Sequence, residues 1–242
     1  MSATEHRRPT PADASQAERL HRFSHDVRNK VGGLIEVLRS LPGTTSSEER
    51  RELEEFAERN IFAALHALEV LLDDLDVERG TPRLRRVVVD LAEVVRQTID
   101  DVANRYARKE QHLEIALAPD VRVDGDPELL FQVVHALLTN ASKFSPRKDA
   151  IHVAVTVEEQ HAFLRITDHG VGLSDEDLEQ VFARFAWLSS RSTEGESQSR
   201  GTLARARQWV EAHGGTLSAH SAGKGQGCTF TLRLPAVERL PS

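Results

Sequence analysis

Three residues near the N-terminus have types and a spacing that suit chemistry on a histidine. His25 and Asp26 are adjacent, and Asn29 follows one helical turn after His25, on the same face of a predicted helix. Neutral imidazole is a competent nucleophile near pH 7. The alternative is an ordinary exposed histidine on a charged helix, since the chain has 11 histidines. The spacing alone leaves both interpretations open.

The element that must position His25 is an amphipathic helix predicted from Ala17 to Leu41. Its apolar residues recur every seven positions at Leu20, Val27, Leu34 and Leu41. If Leu20 occupies heptad position a, His25 occupies position f, on the face away from this apolar seam. The heptad pattern therefore predicts that His25 is accessible to a reacting partner.

A second helix is predicted directly after the first. Pro42 and Gly43 break the first helix, and Ser46 with Glu49 forms a capping box that starts the next. The apolar stripe of the second helix consists of Leu53, Phe56, Ala64, Leu68, Leu71 and Leu75. Two such helices form an antiparallel hairpin that has too small a core alone. We therefore expect two copies to pair as a homodimeric four-helix bundle.

Downstream of Gly80, strands alternate with helices. Alternating apolar and polar residues over 151–159 and 161–170 predict half-buried strands, and a helix is predicted over 128–145 behind Pro127. The fold class is therefore α+β, with the hairpin followed by an α/β sandwich in which helices cover one face of a mixed sheet. The predicted domains are a disordered N-terminus (1–15), the hairpin (16–80), the sandwich (81–237) and a tail (238–242).

Four short sequence motifs follow one another along the chain in an order that is informative about the family. They are FSHDVRN at 23–29, NASKFSP at 140–146, DHGVG at 168–172 and HGG at 213–215. In this order they resemble the catalytic core of bacterial sensor histidine kinases, in which a dimerising phosphotransfer hairpin precedes a Bergerat-type (GHKL) ATP-binding domain. The resemblance covers nearly the whole chain, from about Leu20 to Pro235.

The resemblance implies a role for each residue of the first stretch. His25 would accept the phosphoryl group, and Asp26 would orient the imidazole ring or accept its proton. Asn29 would position a water molecule for dephosphorylation of the partner. The proline that is usual one residue further on is Lys30 here.

The resemblance also implies that adenine is held after the strand that ends at Asp168. This carboxylate would accept a hydrogen bond from the adenine amino group, and Gly170 and Gly172 would let the backbone pass close to the base. By itself, D-x-G-x-G is equally compatible with a turn after an edge strand. The phenylalanines of VFARF, Phe182 and Phe185, resemble the family's lid-anchoring pair, and ordinary core packing is an alternative for both.

ATP and Mg²⁺ are the implied cofactors. Asn140 would ligate Mg²⁺, Lys143 would face phosphate oxygens, and Phe144 would pack the pocket wall. Considered alone, Asn140 and Lys143 are equally compatible with ordinary residues on a solvated helix surface.

One motif departs from the family pattern. Where members carry G-x-G-L-G-L ahead of the last long helix, residues 198–203 read QSRGTL. Arg200 and Thr202 occupy two glycine positions, and Gly201 is one residue out of register. The Cβ atom of Thr202 would obstruct close phosphate approach, whereas Arg200 would add charge. The segment STEGESQSR (192–200) is predicted to be a short, polar, mobile lid.

Composition narrows the function classes. The formal net charge of −7 and the lack of a basic stripe argue against a nucleic-acid partner. A single cysteine, Cys228, excludes an internal disulfide and indicates a reducing compartment. No apolar run suits a membrane span or a signal peptide, so we expect a cytoplasmic protein without membrane insertion. Because no sensor domain is recognisable, the input signal would come from a separate sensory protein unless the chain is a fragment.

The leading hypothesis is a two-component histidine kinase that phosphorylates itself on His25 and transfers the group to an aspartate of a response-regulator receiver. The alternative is a dimeric histidine phosphotransferase or response-regulator phosphatase with a degenerate kinase domain. The altered glycine motif favours it, as does Ala136, which stands where an asparagine is frequent. A third possibility, an ATPase or serine kinase such as an anti-sigma factor, is disfavoured because such proteins lack the HDVRN hairpin.

Overall fold

A computed structural model describes residues 11–41, 46–74, 84–183, 188, 193 and 201–237 of the chain. The chain divides into two compact units, Met1–Arg79 and Gly80–Ser242. The helices are α1 (Pro11–Ser40), α2 (Ser47–Asp74), α3 (Leu91–Arg108), α4 (Pro127–Phe144), α5 (Asp175–Gln180) and α6 (Thr202–Ala212). The strands are β1 (Val87–Asp90), β2 (His112–Leu117), β3 (Arg122–Gly125), β4 (Ala150–Glu158), β5 (His161–Asp168), β6 (Thr216–His220) and β7 (Cys228–Pro235). No described helix is long and apolar enough to cross a membrane.

The first unit is a hairpin of two long helices, α1 and α2. Ser46 starts α2, because its hydroxyl accepts hydrogen bonds from the backbone N–H groups of Glu48 (3.2 Å) and Glu49 (3.4 Å). Within the described part of the hairpin, Val37 and Leu71 are the buried hydrophobic side chains. The hairpin core is therefore thin, as the sequence predicts.

The expectation of disorder over residues 1–15 is wrong for its last five residues, because α1 begins at Pro11. Proline suits the first helical position, where its ring fixes φ and its missing N–H removes no helical hydrogen bond. The alanines that follow at positions 12 and 14 favour the helix further. Residues 1–10 and Leu75, the last member of the predicted α2 stripe, lie outside the described residues.

The second unit is an α/β sandwich built on a five-stranded mixed sheet. The strand order is β2-β4-β5-β7-β6; β2 and β4 are parallel, and the other neighbours are antiparallel. Strands β1 and β3 form a separate antiparallel pair. Burial alternates along the central strands β4, β5 and β7, so one face of the sheet carries the core and receives the helices. The α+β class and the single helical layer match the sequence-based expectation.

Helix α4 lies at the centre of this core and carries the residues of the Asn-containing motif. Asp126 is its N-cap and accepts hydrogen bonds from the backbone N–H groups of Glu128 (3.1 Å) and Leu129 (3.3 Å), and Pro127 opens the helix. Its buried residues are Leu130, Val133, Val134, Ala136, Leu137, Leu138, Ala141 and Ser142. This packing fixes the last turn of α4 against the end of the sheet.

Two helices are shorter than their sequence patterns predict. The stretch SDEDLEQVFARFA (174–186) predicts one short helix, and SRGTLARARQWVEAHGG (199–215) predicts a longer one that ends at its two glycines. Helix α5 ends at Gln180 instead, and Ala183 N–H donates to the Gln180 carbonyl in a tight turn. Ser174 does form the capping box that starts α5. Helix α6 begins at Thr202, because Gly201 precedes it in a left-handed conformation with φ of 105°.

Candidate functional site

His25 projects from α1 with 64% of its side chain exposed. Its Nδ1 atom is 3.2 Å from the Asn29 side-chain nitrogen and 3.8 Å from Asp26 Oδ1. A nitrogen that donates to Asp26 carries the proton, whereas one that accepts from the Asn29 amide does not. The two neighbours therefore favour opposite tautomers of the imidazole ring, and both act on Nδ1.

The second group of candidate residues surrounds a pocket in the sandwich, at the end of β5 and the end of α4. Four of its lining residues were expected from the sequence: Asn140, Phe144, Asp168 and Gly172. The other lining residues among those that the structure describes are Val171, Leu173, Val181, Leu188, Leu203, Cys228 and Phe230. This described part of the wall is largely apolar with few polar groups, as is typical of small-molecule sites.

Asp168 ends β5 and is only 3% exposed. Burial raises the pKa of this carboxyl to about 6, although the backbone N–H groups of Gly170 and Cys228 act in the opposite direction. Gly170 N–H donates to Asp168 Oδ1 at 2.9 Å. An acceptor held in an apolar wall by a backbone N–H suits recognition of a single donor on a flat, apolar ligand.

The loop after Asp168 requires glycine at two positions. A Cβ atom on Gly170 would collide with the carbonyl oxygen of Phe144, at the end of α4. Gly172 has φ of +65°, and a Cβ atom there would collide with the carbonyl oxygen of Gly223. The loop therefore fits tightly between the end of α4 and the turn that joins β6 to β7.

The sequence TLSAHSAGKGQGCTFTLRLP (216–235) predicts a strand pair around this glycine-rich turn, but it does not predict the contact of the turn with the 168–172 loop. Gly225 N–H donates to the Val171 carbonyl at 2.7 Å, and Gly227 N–H donates to the Gly170 carbonyl at 3.1 Å. Glycine spacing at 223–227 indicated only a turn, because the partner of a turn is a tertiary property that spacing does not encode.

The last turn of α4 carries the three residues of the second motif. Asn140 and Phe144 line the pocket and are half-buried. Lys143 is also half-buried, and its ammonium nitrogen lies 5.5 Å from the centroid of the Phe144 ring. Ala136, one turn earlier, is 4% exposed and belongs to the core.

Phe182 packs against the pocket from outside its lining. Its ring meets that of Phe230 edge-on, with centroids 6.2 Å apart, and the Arg207 guanidinium lies 5.5 Å from the Phe182 centroid. Phe185, its predicted companion, lies outside the described residues.

The altered glycine motif leads into α6. Gly201 is the N-cap of α6 and makes no side-chain capping bond, and Thr202, its exposed first residue, adjoins Leu203 of the pocket wall. Arg200 lies outside the described residues, as does the predicted lid over 192–200 except for Thr193. The N-terminus of α6 therefore opens beside the pocket.

Most of the apolar wall was missed from the sequence. The alternating run CTFTLRLP (228–235) predicts that Cys228 is buried in a strand, and the same alternation points Phe230 inward, but the sequence links neither residue to Asp168. The register supplies that link, because Cys228 is the direct partner of Asp168 across β5 and β7. Burial also raises the pKa of the Cys228 thiol, to about 12, so the thiol contributes to the wall as a neutral group.

Comparison with known proteins gives a consistent result. Residues 125–238 match the family described as histidine kinase-, DNA gyrase B- and HSP90-like ATPase. The chain is 30% identical over 237 residues to the circadian input-output histidine kinase CikA of Synechococcus elongatus, covering 93% of this chain and 30% of that protein. It is 28% identical over 233 residues to the sensor-like histidine kinase SenX3 of Mycobacterium tuberculosis, covering 93% of this chain and 55% of that protein.

Solved structures share the fold. The mycobacterial sensor histidine kinase MprB aligns with a TM-score of 0.58 and 29% identity over 63% of this chain and 100% of that one. Full-length ShkA, solved in complex with AMPPNP, aligns with a TM-score of 0.58 and 21% identity over 93% of this chain and 47% of that one. The chain spans about a quarter to just over half the length of its first curated relatives.

Proposed function

We propose that this chain moves the γ-phosphoryl group of ATP to His25 and then to an aspartate of a response-regulator receiver. The proposal follows from the family, because the chain is a histidine kinase catalytic core by sequence and by fold. The observation that carries the proposal is the buried Asp168 in an apolar pocket that also presents Asn140. Burying a carboxylate costs free energy unless its oxygens accept hydrogen bonds, and the adenine amino group would donate such a bond.

The residues around the pocket fit Mg²⁺–ATP. Adenine is flat and largely apolar, which suits the wall formed by residues such as Val171, Leu173 and Phe230. Mg²⁺ takes oxygen ligands and keeps several waters, so the single side-chain oxygen of Asn140 is a sufficient protein contribution beside phosphate oxygens. Lys143 is on the same turn of α4, where it would neutralise phosphate charge.

The arrangement at His25 supports its role as phosphoacceptor. Asp26 and Asn29 both meet Nδ1, so Nε2 is the nitrogen available for attack. When the Nδ1 proton points towards Asp26, the Nε2 lone pair is exposed, and the carboxylate stabilises the positive charge that develops on the ring. When the Asn29 amide donates to Nδ1, Nε2 carries the proton and cannot attack, and the remaining lone pair on Nδ1 is engaged by the amide.

A homodimer through the hairpin is part of the proposal. Among the hairpin side chains that the structure describes, the large apolar ones that stay exposed in one copy are Leu20, Val31, Ile35, Leu38, Phe56, Ile61 and Leu68. Exposed apolar residues in such number on a thin helical pair mark a surface that a partner covers. A second copy would cover it with the same residues and so complete a four-helix bundle.

A second candidate function is a histidine phosphotransferase or receiver phosphatase with a degenerate kinase domain. Two observations favour it: Thr202 at the start of α6, where a glycine is expected, and Ala136 in the core, where an asparagine is frequent. Such a protein would exchange phosphate between His25 and a receiver without using ATP.

Calorimetric titration with adenosine, ADP and Mg²⁺–ATP distinguishes the two candidates. We expect all three to bind to the wild type, and none to bind to Asp168→Asn, whose amide replaces one acceptor oxygen with a donor. Asp124→Asn is a control, because Asp124 is exposed and pairs with Arg86. If no nucleotide binds while a phosphorylated receiver still labels His25, the protein is a phosphotransferase.

A further inference from the structure

Lys109 is a buried lysine that none of the motifs includes. It follows α3 directly, and only 3% of its surface is exposed. Its ammonium donates to the carbonyl oxygens of Ser142 (2.8 Å) and Ser145 (3.0 Å) and to the Thr193 hydroxyl (2.8 Å). An ammonium has three N–H donors, so these three short contacts satisfy the buried charge.

These contacts hold the last turn of α4, which carries three of the proposed nucleotide ligands. The carbonyls at a helix end have no intrahelical partner and carry partial negative charge, so a buried cation binds them well. The Gln111 amide also donates to the carbonyls of Ser142 (3.1 Å) and Ser145 (3.2 Å). Between these two carbonyls lie Lys143 and Phe144, and Asn140 is two residues before the first.

Thr193 joins this cluster from a part of the chain distant in sequence. Its backbone N–H donates to the Lys143 carbonyl at 3.2 Å, and its hydroxyl oxygen lies 2.9 Å from the Ser145 carbonyl. The hydroxyl thus accepts from Lys109 and donates to the same turn of α4. Thr193 is itself exposed, so its contribution can be removed without opening the core.

We propose that Lys109 is a positioning residue for the phosphate end of the nucleotide, and that Thr193 completes its set of acceptors. The proposal rests on nucleotide binding at the pocket. Lys109 does not line that pocket; it fixes the turn from which Asn140 and Lys143 would reach Mg²⁺ and phosphate. Adenine recognition depends instead on Asp168, on another element, and is expected to be insensitive to this cluster.

The first test compares Mg²⁺–ATP with adenosine on Thr193→Val, which has the shape of threonine but no hydroxyl. We expect Mg²⁺–ATP to bind about two- to tenfold more weakly, the loss of one hydrogen bond, with adenosine binding unchanged. Thr193→Ser keeps the hydroxyl and should bind both as the wild type does. Thr216→Val, an exposed threonine on β6, is the matched control.

A double-mutant cycle tests whether Thr193 acts through Lys109. Lys109→Met should weaken the binding of Mg²⁺–ATP more than Thr193→Val does. Thr193→Val should also lower the affinity for Mg²⁺–ATP less in the Lys109→Met background than in the wild type. If Lys109→Met weakens the binding of ATP and of adenosine equally and also lowers the midpoint of unfolding, Lys109 is a purely structural residue and the proposal is overturned. Full additivity of the two substitutions would also overturn it.

A readout that needs no nucleotide keeps this proposal separate from the proposed function. Acylation of lysines by a water-soluble anhydride, followed by mass spectrometry, should label Lys109 slowly in the wild type and faster in Thr193→Val. Lys148, with 73% of its side chain exposed, is the internal control in both proteins. If Thr193→Val leaves the labelling of Lys109 or the affinity for ATP unchanged, the role of Lys109 is overturned but the proposed function is not. If the wild type binds no nucleotide, both the proposed function and this role are overturned.

Discussion

At the scale of single residues, Asp168 has the property that matters most to the proposed chemistry. Its burial raises the pKa towards neutrality, so protonation competes with a ligand that donates a hydrogen bond to the carboxylate. The same burial would exclude water from such a contact and strengthen it. Selectivity for an amino group and sensitivity to pH would therefore have one cause.

We expect adenosine binding to weaken as the pH falls through about 6, the raised pKa of Asp168. Between pH 7.5 and 5.5 the loss of affinity should be roughly fourfold, since protonation must be reversed before adenine binds. Adenine is not protonated in this range, so its own charge does not change. Calorimetric titration across the range measures the effect, and a flat profile would show that Asp168 does not contact the base.

The stability of the sandwich should depend on Asp168 in a definite direction. Because the pKa of the folded protein is raised above the unfolded value, this group's contribution to the free energy of unfolding is fully present below the unfolded pKa. It is lost as the pH rises from about 4 through about 6. Asp168→Asn should remove this part of the pH dependence in urea denaturation, and an unchanged dependence would contradict the assignment.

Asn29 is expected to serve removal of phosphate from the receiver more than phosphorylation of His25. Its amide lies one turn from the ring, 3.2 Å from Nδ1, where it can orient a water molecule. Asn29→Ala should slow loss of phosphate from a receiver by about tenfold, the scale of one hydrogen bond, while His25 labelling from ATP persists. Arg28→Ala, at the exposed neighbour, is the control, and parallel loss of both activities would refute this division.

At the scale of elements, α1 presents a stripe of uncovered apolar residues. Val31, Ile35 and Leu38 lie at helical spacing and are 43%, 45% and 67% exposed in one hairpin. Leu38→Glu should therefore leave the single hairpin folded and weaken dimerisation by roughly a hundredfold or more, because the partner would bury the charge. Arg39→Glu is the control for added charge. Sedimentation at micromolar concentration should give a wild-type dimer, and a wild-type monomer would contradict the bundle.

The start of α6 departs from the family pattern, and we expect this departure to affect the binding of ATP. Replacing Arg200 and Thr202 together by glycine should tighten Mg²⁺–ATP by about tenfold, because backbone N–H groups at the helix start gain access to phosphate. Adenosine, which has no phosphate, should bind as before. An unchanged or weakened ATP affinity would mean that Arg200 or Thr202 already serves the phosphates.

Sequence patterns predicted the elements better than their contacts. Alternation on β4 and β5 and the capped, apolar α4 were predictable because local periodicity and caps determine them. The end of α5 at Gln180 was not predictable, since the apolar pattern of the sequence continues through VFARF while the backbone turns at residues 181–183. The packing of the 168–172 loop against Gly223 and Phe144 is a tertiary contact, and the two glycines of the motif do not indicate which residues they contact.

At the scale of the whole molecule, each of the two units carries one half of the proposed reaction. The hairpin presents His25 on an exposed helix face, and the sandwich holds the pocket at the end of its sheet. Neither unit accounts for phosphotransfer alone, because a pocket without an acceptor would only bind ATP. Phosphotransfer therefore requires that the phosphoryl group of ATP bound in the sandwich becomes covalently attached to His25 of the hairpin.

The most direct measurement of that claim is incubation of the purified protein with ATP labelled in its γ-phosphate, followed by treatment of the labelled chain with acid and with base. We predict label that is lost in acid and stable in base, as expected of a phosphohistidine. The label should be absent in His25→Gln and in Asp168→Asn and should persist in His21→Gln, one turn away on α1. Undiminished labelling of His25→Gln, or no labelling of a wild type that binds Mg²⁺–ATP, would contradict the account.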